Sequence, residues 1–305
     1  QLTAKIEIIR DCLRRIARVE PPGDIPVVAS PSAWRYRSRA EWQYDSTRRR
    51  LGYFERGSHD VCDVIDCPVI VPELQKVLTD LRAEASADLL PEDFHEFQAT
   101  AGDGETVTLT PPVRGTISTE AARAIGGEHY RFSAECFFQI NHALLEPLIT
   151  EAIKGARGET AFDLYCGVGL FTLPLARRFA RVVGVEGNAA ACEYARRNLA
   201  DAGLTNTRVE TSGVGEWLRK NVRAFAPIDF VLLDPPRAGA DEGAAEGIVA
   251  LHPRRVTYVS CDPATLARDL KAFLTSGYEL ASVVAFDMFP QTHHVETVVH
   301  LNRTD

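Results

Sequence analysis

Several things the chain lacks narrow its reading first. In 305 residues no apolar run reaches the roughly 20 needed to cross a bilayer, and no signal peptide is recognisable. Neither membrane insertion nor secretion is therefore expected. The seven cysteines are scattered, without the density or paired spacing of a disulfide scaffold, which points to a reducing, cytoplasmic setting. Cysteine, histidine and carboxylates nowhere recur at zinc-finger spacing, so no zinc site is expected. There is no internal repeat and no low-complexity stretch. The chain opens on Gln1 instead of Met, which suggests that an upstream segment precedes it. A surplus of positive charge is missing too. The net charge is -8, which as a sum argues against a nucleic-acid partner.

The distribution of charge matters more than the sum. Between Arg35 and Arg56 stand seven arginines against Glu41, Asp45 and Glu55, interleaved with Tyr36, Trp42, Tyr44, Tyr53 and Phe54. Arginines that pair phosphates and aromatics that stack bases suit RNA, and Arg35, Arg37, Arg39 and Arg49 are the candidates. A solvated face of an antiparallel sheet would look the same.

Hydrophobic content of 45% and charged content of 25% are ordinary for a globular protein, and the length suits one large or two medium domains. Leu2 to Val19 has apolar residues at helical spacing. From Trp34 to Val64 the pattern alternates as in an antiparallel meander. Pro68 to Ala85 and Asn141 to Ala156 read as helices, and Phe94 to Val113 and Tyr130 to Phe138 as extended. From Thr160 onward strands alternate with helices, which predicts a mostly parallel doubly wound sheet. The last two strands, Glu279 to Asp287 and Val295 to Asn302, have no helix between them. That ending implies an antiparallel edge hairpin, common in S-adenosylmethionine-dependent methyltransferases. The expectation is a smaller α+β domain over 1–133, contacting RNA, and a Rossmann-like class I methyltransferase domain over 134–305 with a seven-stranded sheet.

Five stretches carry chemistry. Asp163 to Phe171 (DLYCGVGLF) follows a strand and opens a helix, and Gly167 and Gly169 let backbone turn tightly against a ligand. The third glycine of a dinucleotide cradle is absent. Glu186 ends the next strand, where an acid can accept from a ribose diol. It could also be only a polar strand end. Asp234, in LDPPRAG, is held at the carboxyl edge of the sheet by two prolines, or simply marks a turn. Cys261 sits where the run Val256 to Val259 stops and Asp262-Pro263 begins a helix. The partial positive charge of a helix N-terminus favours thiolate there, the nucleophilic form. A small buried cysteine at a strand end fits the stretch equally. Glu296 leads into the last strand, and burial would raise its pKa towards that of a general base. His293 and His294 point to opposite faces if extended, which disfavours a shared metal.

In this order, FFQIN (137–141), DLYCGVG, GVEG, LDPPRAG, SCDPATLARD and DMFPQTHHVE resemble the RNA uracil-5-methyltransferase family over nearly the whole chain. The segment YRSRAEWQYD and Asp66-Cys67-Pro68 are similar to the central domain of its 23S ribosomal-RNA branch more than to its tRNA branch. The resemblance implies Cys261 as nucleophile and Glu296 as base, with Gln139, Tyr165, Glu186 and Asp234 lining the S-adenosylmethionine site beside Gly167 and Gly169. S-adenosylhomocysteine would be the product and RNA the partner, with the protein cytoplasmic and monomeric. Leu170 stands where ribosomal-RNA members often have Asn, which puts one cofactor hydrogen bond in question. Cys67 matches the last of four ligands to a 4Fe-4S cluster in some members. The other three, and the family's β-barrel, would lie upstream, so a cluster is expected only in a longer parent protein, and weak RNA methylation from this chain.

The chemistry is coherent without the resemblance. Carbon 5 of uracil is a poor nucleophile until a thiolate adds at carbon 6, and a base then removes the carbon-5 proton. Three readings compete with a ribosomal-RNA 5-methyluridine enzyme. A tRNA enzyme of the same chemistry is one, and an amine-directed methyltransferase, which needs no Cys261, is another. The third is a non-catalytic RNA-binding module.

Overall fold

The computed structural model describes residues 1–113, 118–221 and 228–304. In chain order it contains α1 (Leu2–Cys12), a π-helical turn (Leu13–Ala17), β1 (Val27–Val28), β2 (Arg39–Asp45), β3 (Arg50–Phe54), β4 (Val61–Asp63), α2 (Pro72–Ser86), β5 (Glu96–Ala101), β6 (Val107–Thr110), β7 (Ala121–Ile125) and β8 (Glu128–Phe132). There follow α3 (Leu145–Ala152), β9 (Gly158–Leu164), α4 (Thr172–Ala176), β10 (Phe179–Glu186), α5 (Ala189–Asp201), β11 (Thr207–Thr211) and α6 (Val214–Asn221). The chain closes with β12 (Phe230–Leu233), α7 (Ala244–Ala250), β13 (Arg255–Ser260), α8 (Pro263–Leu274), β14 (Tyr278–Phe286) and β15 (Glu296–Arg303).

These pack as two compact units, 32–143 on its own and 1–31 together with 144–305. The expectation from sequence grouped 1–133 as one domain and 134–305 as the other. The structure instead gives the first helix to the C-terminal segment, because its apolar face is completed there. Ile9 and Leu13 are buried in one core with Tyr258, Leu266, Leu270 and Val283. The helical pattern read over Leu2 to Val19 loosens into the π turn and stops at Arg18 in the left-handed conformation (φ 59°).

The larger unit is built on one eight-stranded sheet in the order β1-β14-β15-β13-β12-β9-β10-β11. All neighbours pair in parallel except β15, which runs antiparallel between β13 and β14. Six of these strands match those read from the sequence, and β11 (Thr207–Thr211) makes up the expected seven. The eighth, Val27–Val28, lies alongside β14, so the hairpin is not the bare edge that the sequence suggested. The central strands β9 and β12 are buried on both faces, as parallel strands covered by helices must be. Phe162 meets Trp217 edge to face at 5.2 Å in this core.

In the 32–143 unit, β4-β3-β2-β5-β6 form an antiparallel sheet, and β7 pairs with β8 separately. α2 begins at Pro72, an N1 proline, and buries Leu74, Leu78 and Leu81 with Trp42, Leu51 and Phe97.

Candidate active site

The carboxyl ends of β9, β10, β12 and β13 gather the residues singled out by sequence, as expected for an open α/β sheet. After β9 the backbone turns sharply, with positive φ at Tyr165 (62°), Gly167 (53°) and Gly169 (93°). At Gly167 a Cβ would meet nothing within 4 Å, so the loop borders open space. Glu186, at the end of β10, accepts from Gly167 N (3.0 Å) and Asn188 N (2.7 Å), fixing its carboxylate against the loop. Buried Asn198 on α5 holds the loop from behind, donating to Val168 O at 3.0 Å. Asp163 is fully buried and accepts from Thr172 Oγ1 at 2.5 Å, while its Oδ1 has no hydrogen-bond partner. Burial above all, then Asp234 and Glu186, push its pKa up to about 7. An open glycine turn, a pre-oriented acid and an orphaned buried oxygen fit a nucleoside-bearing cofactor.

Cys261 lies between β13 and α8. Ser260 Oγ donates to Asp262 O at 3.0 Å, and Asp262 caps α8 by accepting from Ala264 N (2.8 Å) and Thr265 N (3.0 Å). The expectation that this helix end favours thiolate is not met in the resting protein. Its first N–H groups are occupied by the Asp262 carboxylate, which offsets their partial charge. Burial, then Glu296 and Asp234, push the Cys261 thiol up to about 11. The positive charge of Arg237 opposes them.

Glu296 opens β15 opposite Phe286 and is buried, with no hydrogen-bond partner on Oε1. Burial and then Asp234 raise its pKa well above the carboxylate range, with Arg237 again opposing. Cys261, Glu296, Asp234 and Arg237 thus form one electrostatic cluster. Buried Asp269 fastens the loop bearing Asp234 and Arg237 by accepting from Tyr258 Oη (2.7 Å) and Ala240 N (2.9 Å). Tyr165 joins in by accepting from Asp241 N at 2.9 Å. His294 is driven down to about 4 by burial and then by Arg237 and His293, so it is a neutral imidazole. Its ring lies 4.1 Å from that of His293, because residues 287–295 turn instead of extending. Sequence reasoning missed Arg237, Asp269 and Asn198. Arg237 and Asp269 stand inside quoted motifs, but their roles depend on contacts with other loops.

The remaining candidates belong to the 32–143 unit. Gln139 is buried. Arg35 bonds Asp66 and Cys67 O, and Arg49 pairs with Asp88 at 3.0 Å, both with exposed guanidiniums. Arg37 Nε donates to Arg39 O, and Arg39 is half-buried, donating to Cys136 O (2.7 Å) and Gln98 (2.9 Å). Cys67 is buried beside Tyr53 Oη at 3.7 Å. Among the described residues no three His, Cys, Asp or Glu converge to hold a metal, so those present do not fit an iron–sulfur cluster.

The sequence model of the family described as tRNA (Uracil-5-)-methyltransferase matches residues 122–304. The chain belongs to this uracil-5-methyltransferase family. Relatives named 23S rRNA (uracil(1939)-C(5))-methyltransferase RlmD include one from Vibrio parahaemolyticus, 32% identical over 98% of this chain and 76% of that protein. Another, from Cronobacter sakazakii, is 34% identical over 92% of this chain and 73% of that protein. The fold of this uracil-5-methyltransferase is also that of the Pyrococcus abyssi tRNA (uracil-54, C5)-methyltransferase crystallised with S-adenosyl-L-homocysteine. That likeness has a TM-score of 0.77 at 24% identity, over 99% of this chain and 83% of that one.

Proposed function

We propose that the protein methylates carbon 5 of a uridine in 23S ribosomal RNA, with Cys261 as nucleophile and Glu296 as base. The observation that carries this is the pairing of Cys261 with a buried, unpartnered Glu296 oxygen in one charge cluster. When bound, S-adenosylmethionine supplies an electrophilic methyl group. Gly167, Gly169 and Glu186 would hold its nucleoside end, with Tyr165 and Asp234 completing the site. Cys261, its proton released to solvent with Arg237 beside the thiolate, would add to carbon 6 of the uracil; the resulting enolate is nucleophilic at carbon 5, where it would receive the methyl group, with S-adenosylhomocysteine as the leaving group. The carbon-5 proton then passes to Glu296, and the ring expels the Cys261 thiolate. A carboxylate whose pKa is raised by burial is a stronger base than one in water, which suits a carbon acid.

The ribosomal-RNA substrate is favoured by the relatives at 32% and 34% identity, and tRNA is the second reading, on the family's printed description. The uridine has to leave its stack to reach Cys261. Arg35 and Arg49, with exposed guanidiniums, are the residues proposed to grip phosphate, while Arg37 and Arg39 brace backbone at Arg39 and Cys136.

The test is mass spectrometry after incubation with S-adenosylmethionine and 5-fluorouridine-containing 23S rRNA or tRNA. Fluorine cannot leave as a proton does, so a methylated adduct on Cys261 is expected from 23S rRNA and none from a Cys261→Ala variant. An adduct from tRNA alone selects the second reading. No adduct with cofactor binding intact overturns the cysteine mechanism.

A further inference from the structure

Lys5, on α1, is 1% exposed, an extreme burial for a lysine. Its ammonium donates to Asp287 Oδ1 at 2.5 Å and to Phe289 O at 3.0 Å. Both partners sit in the loop joining β14 to Glu296. The same N-terminal segment holds that loop twice more. Asp287 N donates to Val28 O at 2.9 Å, and Gln1 Nε2 to Gln291 Oε1 at 3.0 Å. Phe286, next to Asp287, is the cross-strand partner of Glu296.

Two arguments tie this clamp to chemistry more than to stability. A buried ion pair rarely stabilises more than apolar residues of the same volume, but it admits a narrower set of geometries. Glu296 Oε1 has no hydrogen bond to orient it, so the aim of the carboxylate is set by the backbone at the start of β15. That backbone is fixed on one side by the ladder with β14 and on the other by the clamped loop.

We propose that Lys5 is a positioning residue for Glu296, acting through Asp287 and Phe289 O on the step that removes the carbon-5 proton. This rests on the reading of Glu296 as the base. Addition of Cys261 and methyl transfer precede that step and do not use the clamp. Loss of Lys5 should therefore stall the reaction after methyl transfer, leaving a covalent Cys261–RNA adduct on ordinary, unfluorinated RNA.

The experiment compares wild type, Lys5→Met, the double variant Lys5→Met/Asp287→Leu, and Glu296→Gln. Each is incubated with S-adenosylmethionine and 23S rRNA, and denaturation-stable adduct and released 5-methyluridine are followed in a single turnover. The double variant removes both charges, so it folds even where a lone buried Asp287 would prevent it. Expected for Lys5→Met and the double variant are adduct formation within about threefold of wild type and release slowed tenfold or more. The double variant should keep the wild-type melting temperature. Release at the wild-type rate in a folded double variant overturns the proposal. Slowed formation and release in equal measure would assign Lys5 a structural role only. If Glu296→Gln accumulates no adduct while wild type methylates, the reading of Glu296 itself fails and the positioning role with it.

Discussion

Cys261 rests as a thiol because burial and the carboxylates of Glu296 and Asp234 outweigh Arg237 and a helix end already capped by Asp262. Its alkylation by iodoacetamide should accelerate tenfold per pH unit up to pH 9 and beyond, with a midpoint near the value of about 11. Arg237→Ala should move that midpoint upward, whereas a midpoint below 8 in the wild type would show that the thiolate is preformed. Glu296 shows the opposite balance of stability and function. Its folded pKa is raised, so its contribution to stability is intact below the unfolded pKa and is lost as pH rises through the folded one. At pH 8, Glu296→Gln should raise stability by roughly 1–3 kcal/mol, read as a higher melting temperature, while abolishing turnover. The motifs marked both residues, Cys261 by a strand-to-helix junction and Glu296 by its place at the head of the last strand. The protonation state of the thiol was not legible, because its neighbours come from β12 and β15, far away in sequence.

At the scale of elements, α8 shows why some of the fold could be read. Its Asp-Pro start, apolar spacing and twelve-residue length agree with one another, and it buries Leu266, Leu270 and Phe273 at about 1.5–3 kcal/mol each. Asp262→Ala removes its cap and should cost about 1 kcal/mol in thermal or urea unfolding. Gly239 is the tighter constraint. It has φ 88°, and a Cβ there would lie 2.3 Å from an Arg268 nitrogen and 2.8 Å from Asp269 Oδ2. Gly239→Ala should cost about 1–3 kcal/mol and reduce both methylation and cofactor affinity, because it displaces the loop of Asp234 and Arg237. Unchanged cofactor affinity in a folded variant would remove Asp234 from the cofactor site. β1, β7, β11 and α6 escaped the sequence pattern. They are short, and β11 has a single buried residue in TRVET, so tertiary pairing decides them and not local periodicity.

At the scale of the whole molecule, buried ionisable groups shape the dependence of stability on pH. Asp163 is raised to about 7, so the stability it contributes is present below about 3.8 and falls away as pH climbs through 7. His294, lowered to about 4, and His300, lowered by burial, work the other way. They cost nothing above about 6.5 and destabilise as pH falls below it. Glu296, also raised, adds to the Asp163 trend, so between about pH 4.5 and 6.5 the two acids and the two histidines oppose each other and the melting temperature should vary little. Asp163→Asn removes one of them. Relative to wild type it should gain a few kcal/mol on going from pH 4 to pH 8, roughly 1.4 per pKa unit, and no gain would mean that Asp163 is ionised in the folded protein.

The larger unit is assembled from two ends of the chain with 32–143 inserted between them. The sequence displayed each half of that unit, but nothing local announces that Lys5 finds its partner 282 residues downstream. This has a consequence for biosynthesis. At roughly 5–20 residues per second, α1 is made some tens of seconds before Asp287 leaves the ribosome, and until then its buried face and its ammonium have nowhere to go. The inserted unit, contiguous and complete by residue 143, is free to fold during that wait. The methyl-transfer machinery closes only once Asp287 and Glu296 have been made, so a chain released before them carries a finished insert and no working active site.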